Sequence, residues 1–477
     1  MGTCPTAVTI DNVLLELLGI VHVFLEFRMD AATIYQRFVE KAPAAVLVHG
    51  LIASCLSPAF LDATAAPHLP RSPKTRDLTF AHLVEILLPV VFESKKSVGQ
   101  SYRDATHLHD IVTRKCVYER LAATPTAAVA ALVTAVADRV TPLLDSPPPD
   151  TTRYLTLDGN HLAATQNRLA DLAGLPAALP GQAMVLRDQD SGVFLRVFLH
   201  EDGHTNERAL HPQLLEWFGP NDIVIADSSF CTEAFLIGIR QRGANAIVRH
   251  HGGVGLTPLG ERRDCGRVAT GQVYETRVRY AQTQWEFRLV QVELDRPTRE
   301  GHTTIGVLTD VDEAKLSAVE IAAKYQERRT IENAFQELAE GLRGEVETLA
   351  YPKAALFAFG LAVSLYNLLQ VVRQAVERQA GPESEFEVSP VILSQEVSSY
   401  AAGLETALEG HPMLPTADWS VKELRAWIDD LAKRLTGARY AKRKRGHRKQ
   451  SQKKSKPAKG SHTATARILD QRRSKCQ

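Results

Sequence analysis

The run DSPPPDTT, residues 145–152, separates two stretches of chain with different hydrophobic periods. Before it, apolar residues recur at spacings of three and four, as in LTFAHLVEILLPVVF and AAVAALVTAVADRV, the period of helices with one buried face. After it come short apolar runs bounded by turn residues: RYLTLDGN, AMVLRDQDSGVFLRVFL with a turn at DQDSG, DIVIADSSF and ANAIVRHHG. TEAFLIGIRQRG between them has helical spacing and stops at Gly243. Residues 251–300 alternate in the manner of strands, as in QVYETRVRY and QWEFRLVQVEL; TTIGVLTD is a further strand, and a long helix is expected from about 314 to 343. Strands interleaved with helices require an α/β or α+β core.

The stretch 354–372 carries no charge over nineteen residues, long enough to span a bilayer. Ser364, Asn367 and Gln370 recur through it at three-residue spacing and form one polar stripe, so a buried core helix with no membrane partner is expected. WSVKELRAWIDDLAKRL opens with Ser420 three residues before Glu423, a capping box. No signal peptide is recognised, and none of the six cysteines stands in a Cys-x-x-Cys pair, which argues against zinc and for a reducing compartment.

The net charge of +1 conceals a strong polarity. Residues 433–477 hold seventeen Lys and Arg against Asp470 alone, leaving the first 432 residues with a net of −15. A basic tail on an acidic body suits a polyanion such as nucleic acid. Beyond Gly437 the chain is poor in apolar residues, and residues 439–477 are expected to be disordered.

Two aspartates end strand-like runs, Asp158 after YLTL and Asp227 after IVIA. A third acid, Glu332, shares a helical stripe with Tyr325, Arg328 and Phe335. Three carboxylates can hold two Mg²⁺ ions about 3.5–4 Å apart, one activating an attacking water or 3′-hydroxyl and the other stabilising the leaving oxygen. Arg328 and Tyr325 would then bind flanking phosphates, Arg through its planar fork. The residue types alone leave simpler roles open: strand-end Asp as turn former, Glu332 as ion-pair partner of Arg328 or Arg329, and Asp188, Asp190, Glu201 and Asp202 as competing acids.

LDGNHLAATQNRL, IADSSFCTEAFLIGIRQRGANAIVRHH and YQERRTIENAFQEL together resemble the three catalytic blocks of the DDE transposases of the "insertion sequence four" family. The acids come in matching order, Asp227 lying 69 residues after Asp158 and Glu332 a further 105 on. The resemblance covers roughly residues 150–370, and the tail ending SHTATARILDQRR is also similar. It implies a ribonuclease-H-like mixed sheet flanked by helices, with a β-rich insertion at about 251–300 inside a catalytic domain of residues 148–375. An N-terminal helical domain over 1–147, with DNA-end binding as a candidate role, a C-terminal helical region over 376–438 and the basic tail 439–477 complete the expected organisation.

The implied activity is cut-and-paste DNA transposition by two-metal hydrolysis at element ends and strand transfer into a target. Asp158, Asp227 and Glu332 would be the metal ligands and Tyr325 and Arg328 the DNA contacts. The cofactor would be two Mg²⁺ ions, with Mn²⁺ as a substitute. Partners would be double-stranded DNA, both terminal inverted repeats and target, and a second copy on paired ends. The expected location is the bacterial cytoplasm, at the nucleoid. Three positions depart from the family: Ala339 stands where a lysine is usual, and Ser228 and Ser229 stand where Arg-Gly is common. The alternatives are a catalytically decayed or co-opted DNA-binding protein and a nuclease without strand transfer. Trp285, in the β-rich insertion, reads either as a core residue or as a stacking platform for an extruded base.

Overall fold

A computed structural model describes residues 31–70, 77–145, 151–163, 178–280, 283–298, 301–381, 384, 386–408, 411, 413–442 and 463–475. A mixed sheet of ten strands organises it. Five strands form the half that carries the candidate acids: β1 (Arg153–His161), β2 (Gln182–Asp188), β3 (Phe194–His200), β4 (Asp222–Ala226) and β5 (Asn245–Arg249). Their order is β3-β2-β1-β4-β5. The β1–β2 and β2–β3 pairs are antiparallel, and β1, β4 and β5 are parallel. This is the ribonuclease-H-like arrangement.

The region expected as a β-rich insertion supplies β6 (Leu256–Pro258), β7 (Arg263–Val268), β8 (Gly271–Tyr280) and β9 (Glu286–Leu294), followed by β10 (Thr304–Thr309). These strands continue the same sheet. β10 pairs with β5, β9 with β10, β8 with β9, and β6 and β7 both pair with β8.

β4 is buried at every position, because helices cover both of its faces. Alternation sorts its side chains: Val224 and Ala226 join Phe235, Leu236 and Ile239 of helix Glu233–Gln241, while Ile223 and Ile225 join the helix on the opposite face. That opposite helix is α1 (Ala318–Glu327), which starts at a capping box between Ser317 and Glu320. α2 (Arg329–Glu340) follows immediately. The single helix expected over 314–343 is therefore two helices meeting at Arg328. There the backbone tightens, and the Arg328 N–H bonds to Tyr325 O at 3.1 Å.

The segment at 354–372 lies within α3 (Pro352–Ala380), whose apolar stretch is wholly buried. By length and composition, α3 and Thr126–Leu143 among the described residues would cross a membrane, but α3 instead forms the axis of the main core. Helices Phe80–Val91, Arg114–Ala123, Thr126–Val140 and Val421–Ala432 pack on it, the last starting at the Ser420–Glu423 capping box. One apolar cluster joins Tyr35–Leu144, parts of β2 and β3, α2, α3 and the helices of 388–440.

The polar stripe on α3 has a structural purpose. Asn367 lies across the outer edge of β3, its Oδ1 accepting from Phe194 N and its Nδ2 donating to Phe194 O, both at 2.9 Å. One side chain thus replaces a neighbouring strand on an otherwise unpaired edge. Asn367→Leu leaves a buried N–H and C=O without partners, and a loss of about 2–3 kcal/mol is expected. Chemical denaturation measures it; a loss below about 0.5 kcal/mol would show that water or rearrangement satisfies the pair.

His211, on the short helix His211–Leu215, is a second buried polar group. Its ring packs at 5.2 Å from Phe230 and 4.5 Å from Phe235, and burial, with the nearby Arg208 charge, pushes its pKa down to about 4. Between roughly pH 6.5 and 4 the unfolded chain takes up a proton that the folded chain refuses. Stability present above pH 6.5 is therefore lost as the pH falls through that window, by an amount on the order of 2 kcal/mol. His211→Phe should flatten that part of the stability–pH curve; an unchanged slope would assign it to other groups.

Two expectations need correction. Asp158 does not end its strand: β1 runs on to His161, and only its parallel pairing with β4 stops at Leu157. The tail is not without structure throughout, because Thr463–Ala464 pairs in parallel with Ala178–Leu179 and the helix Thr465–Lys475 follows. Burial and an ion pair accompany this return: Ala464 and Thr465 are buried, and Arg467 Nε reaches Asp202 Oδ2 at 2.7 Å. The most basic part, residues 443–462, lies outside the described residues. Of the two readings of Trp285, the core residue fits and needs no correction: Trp285 packs against the core, and Arg240 covers its ring face at 4.9 Å.

Candidate active site

The parallel pairing of β1 and β4 ends with Leu157 opposite Ala226, so the next residues, Asp158 and Asp227, emerge side by side. Alternation turns both away from the Leu157–Ala226 face and toward α1 and α2. Here the parallel pairing of β1 with β4 stops while β1 stays paired to β2, and ligands gather at the carboxyl ends of strands such as β4 in α/β sheets.

The two carboxylates are held differently. Asp158 Oδ1 accepts from Gly159 N at 3.0 Å, and its Oδ2 accepts from Arg328 Nη1 at 2.8 Å. Asp227 caps a turn of 3₁₀ helix over Ser228–Phe230, its Oδ1 accepting from Ser229 N at 2.9 Å and Ser229 Oγ at 2.7 Å. Ser229, one of the two serines that depart from the family pattern, thereby anchors the second acid.

The junction of α1 and α2 delivers the other side chains. Arg328 is 14% exposed and its second nitrogen, Nη2, donates to Glu332 Oε1 at 3.0 Å. One guanidinium therefore ties Asp158 to Glu332. Glu332 itself is 59% exposed and opens onto a surface groove lined by Gln326, Arg329, Thr330 and Asn333. Tyr325 is half-buried beside Arg328. Phe335, the fourth member of the stripe, packs on the core, 6.1 Å from Phe194.

Charge balance here is poor without a further cation. Burial pushes the Asp158 carboxyl up to about 6; Arg328 opposes that, while the Asp227 and Glu332 charges add to it. Burial raises the Tyr325 phenol, against the pull of Arg328 and Arg249. Burial works against the Arg328 charge, but Asp158, Tyr325 and Glu332 more than restore it. Several groups with shifted pKa gathered in one place are typical of functional sites.

Among the described residues, no three His, Cys, Asp or Glu side chains stand close enough to hold one metal ion between them. The expected convergence of Asp158, Asp227 and Glu332 into a ready ligand set is thus incomplete. Like charges repel, and Arg328 occupies the gap between two of them. The donors nevertheless fit a divalent cation: all are hard oxygens, and a guanidinium already stands in for positive charge at that position.

Two participants were not singled out in the sequence. Glu207, in the turn before helix His211–Leu215, places Oε2 3.0 Å from Ser229 Oγ. No periodicity links HTNERAL to the acids, so only the fold brings it there. Arg249, at the end of β5, contributes to the electrostatics of Tyr325; it lies in a block matched by resemblance but drew no role.

Residues 182–368 match the family model "Transposase DDE domain". The match covers Asp227, Tyr325, Arg328 and Glu332 and begins after Asp158. It supports DNA transposition as the general activity, with DNA as partner and divalent ions as the usual cofactor of such domains. No curated protein matches the chain. Among solved structures, a cryo-EM structure of piggyBac transposase, described as a synaptic complex with hairpin DNA, is similar at 10% identity. It covers 83% of each chain with a TM-score of 0.39, too low to bear on activity.

Proposed function

We propose that the chain is an active cut-and-paste transposase of the "insertion sequence four" kind. Asp158, Asp227 and Glu332 are its metal-holding carboxylates, and Tyr325 and Arg328 its contacts to the DNA end. The observation that carries this reading is Arg328 bridging Asp158 and Glu332, residues 170 and 4 positions away. A surface ion pair between Arg328 and Glu332 alone would bring a gain of only ~0.3–0.5 kcal/mol and no reason for burial. An arginine drawn inward to a strand-centre aspartate marks a place built to gather charge.

When bound, two divalent ions would activate the attacking oxygen and stabilise the leaving one. The chain's own residues do the rest. Asp227, pinned at Oδ1, presents Oδ2. Asp158 does the same once Arg328 leaves its Oδ2. Glu332, at the edge of the open groove, can approach as the helix junction adjusts. Arg328, freed from the carboxylates, offers its fork to a phosphate of the element end, and Tyr325 donates its hydroxyl alongside.

The substrates are double-stranded DNA with terminal inverted repeats and a target duplex, engaged by two copies on paired ends in the bacterial nucleoid. The basic segment 443–462 adds phosphate contacts without base information. A silent DNA-binding protein is the competing reading, and Ala339 on the exposed side of α2 favours it, since a phosphate-binding lysine is missing there.

The test uses full-length protein and labelled duplexes carrying the DNA that flanks the gene. Mg²⁺-dependent cleavage at inverted repeats, followed by joined products, is expected. Binding without cleavage in either Mg²⁺ or Mn²⁺ would establish the silent protein instead.

A further inference from the structure

We propose that Glu207 is a positioning residue for Asp227, acting through the Ser229 hydroxyl; the proposal rests on the functional reading above. Glu207 spans the two strands that carry the acids. Its Oε2 lies 3.0 Å from Ser229 Oγ, beyond the end of β4, and its Oε1 lies over Gly159, on β1 next to Asp158. A Cβ at position 159 would sit 2.5 Å from that Oε1, so only glycine lets the carboxylate lie against the strand. The neighbouring Arg208 donates from Nε to Ser229 O at 3.2 Å. Adjacent residues of one turn thus hold Ser229 at both its hydroxyl and its carbonyl. Asn206 fixes that turn by accepting from Arg208 N at 3.1 Å.

The hydroxyl of Ser229 has a single proton to donate. It lies 2.7 Å from Asp227 Oδ1 and 3.0 Å from Glu207 Oε2, so both carboxylates accept from one hydroxyl, which stays between them and is held on the Asp227 side by the shorter contact. With Ser229 N also on Oδ1, one oxygen of Asp227 is saturated and the other is left for a ligand. Groups that orient a metal-binding carboxylate in this way contribute about 10–100-fold to metal affinity. Glu207 also adds negative charge beside two acids that a divalent ion must hold together.

Mn²⁺ binding to the full chain, followed by calorimetry without DNA, tests this, with melting temperature as the check on folding. Ser229→Ala and Glu207→Ala should each weaken Mn²⁺ binding about tenfold. The double variant should be no weaker than Ser229→Ala alone, since Glu207 acts only through the hydroxyl which that variant lacks. Ser229→Thr, which keeps the hydroxyl, and Glu207→Gln, which keeps an acceptor, should restore most of the loss. If wild type binds Mn²⁺ and Asp227→Ala abolishes it, but Ser229→Ala and Glu207→Ala bind normally, the positioning role is overturned and the functional reading stands. Loss with Glu207→Ala but not Ser229→Ala overturns it in favour of Glu207 touching the ion directly. A wild type that takes up no Mn²⁺ overturns the functional reading, and this role with it.

Discussion

Alanine at Asp158, Asp227 or Glu332 should lower Mg²⁺-dependent cleavage of an element end by ~10³-fold or more, with DNA binding changed by no more than about threefold. The size follows from the chemistry. Removing one carboxylate takes away oxygen ligands that no neighbour replaces: Glu207 is tied to Ser229, and Asp188 spends its Oδ1 on the backbone N–H groups of Asp190 and Ser191. The selectivity follows from location, since the acids repel phosphates rather than attract them. Each variant should also retain its fold. Asp158 shares its charge with Arg328, which Glu332 still pairs, and Glu332 is exposed. Single-turnover cleavage beside filter binding checks both halves. Cleavage within tenfold of wild type for any one of the three would remove that residue from the metal site.

Arg328 should behave in two opposite ways. In the metal-free chain it is the counter-ion of Asp158 and Glu332, so a divalent ion must displace it. On the functional reading proposed above, it grips phosphate in the DNA complex. Arg328→Ala should therefore bind Mn²⁺ about tenfold more tightly without DNA, because no resident cation competes, yet cleave ~10²-fold or more slowly. Arg328→Lys keeps the charge and loses the fork; cleavage should fall strongly with little change in melting temperature. With Ala339 where the resemblance leads one to expect a lysine, no nearby ammonium on α2 shares the task. Mn²⁺ affinity that is unchanged or weaker in Arg328→Ala would end the counter-ion account. Near-normal cleavage by Arg328→Lys at physiological salt would end the phosphate account.

Much of the architecture was legible because it rests on local pattern. The strands β2 to β5 and β8 to β10 follow their apolar runs, since alternation and β-branched content depend only on near neighbours. The stop of helix Glu233–Gln241 before Gly243, with φ of 77°, and the capping box at Ser420 have the same basis. The polar stripe of α3 was legible as a sign of burial, though its partner, the edge of β3, lies 173 residues away and carries no sequence mark.

What the sequence determined by itself is the set of candidate acids and their type. Two apolar runs ending in Asp, and a Glu sharing a stripe with Tyr and Arg, are statements about composition and period, and these hold before the chain folds. What only the tertiary structure decided is who stands beside whom. It extended β1 past Asp158, bent the helix at Arg328 so that its guanidinium reached the sheet, and laid Glu207 over Gly159. It also returned residues 463–475 to the body despite their charge. Each of these depends on contacts between segments far apart in the chain, and such contacts are selected by the packing of whole faces against one another, a free energy that no window of sequence contains.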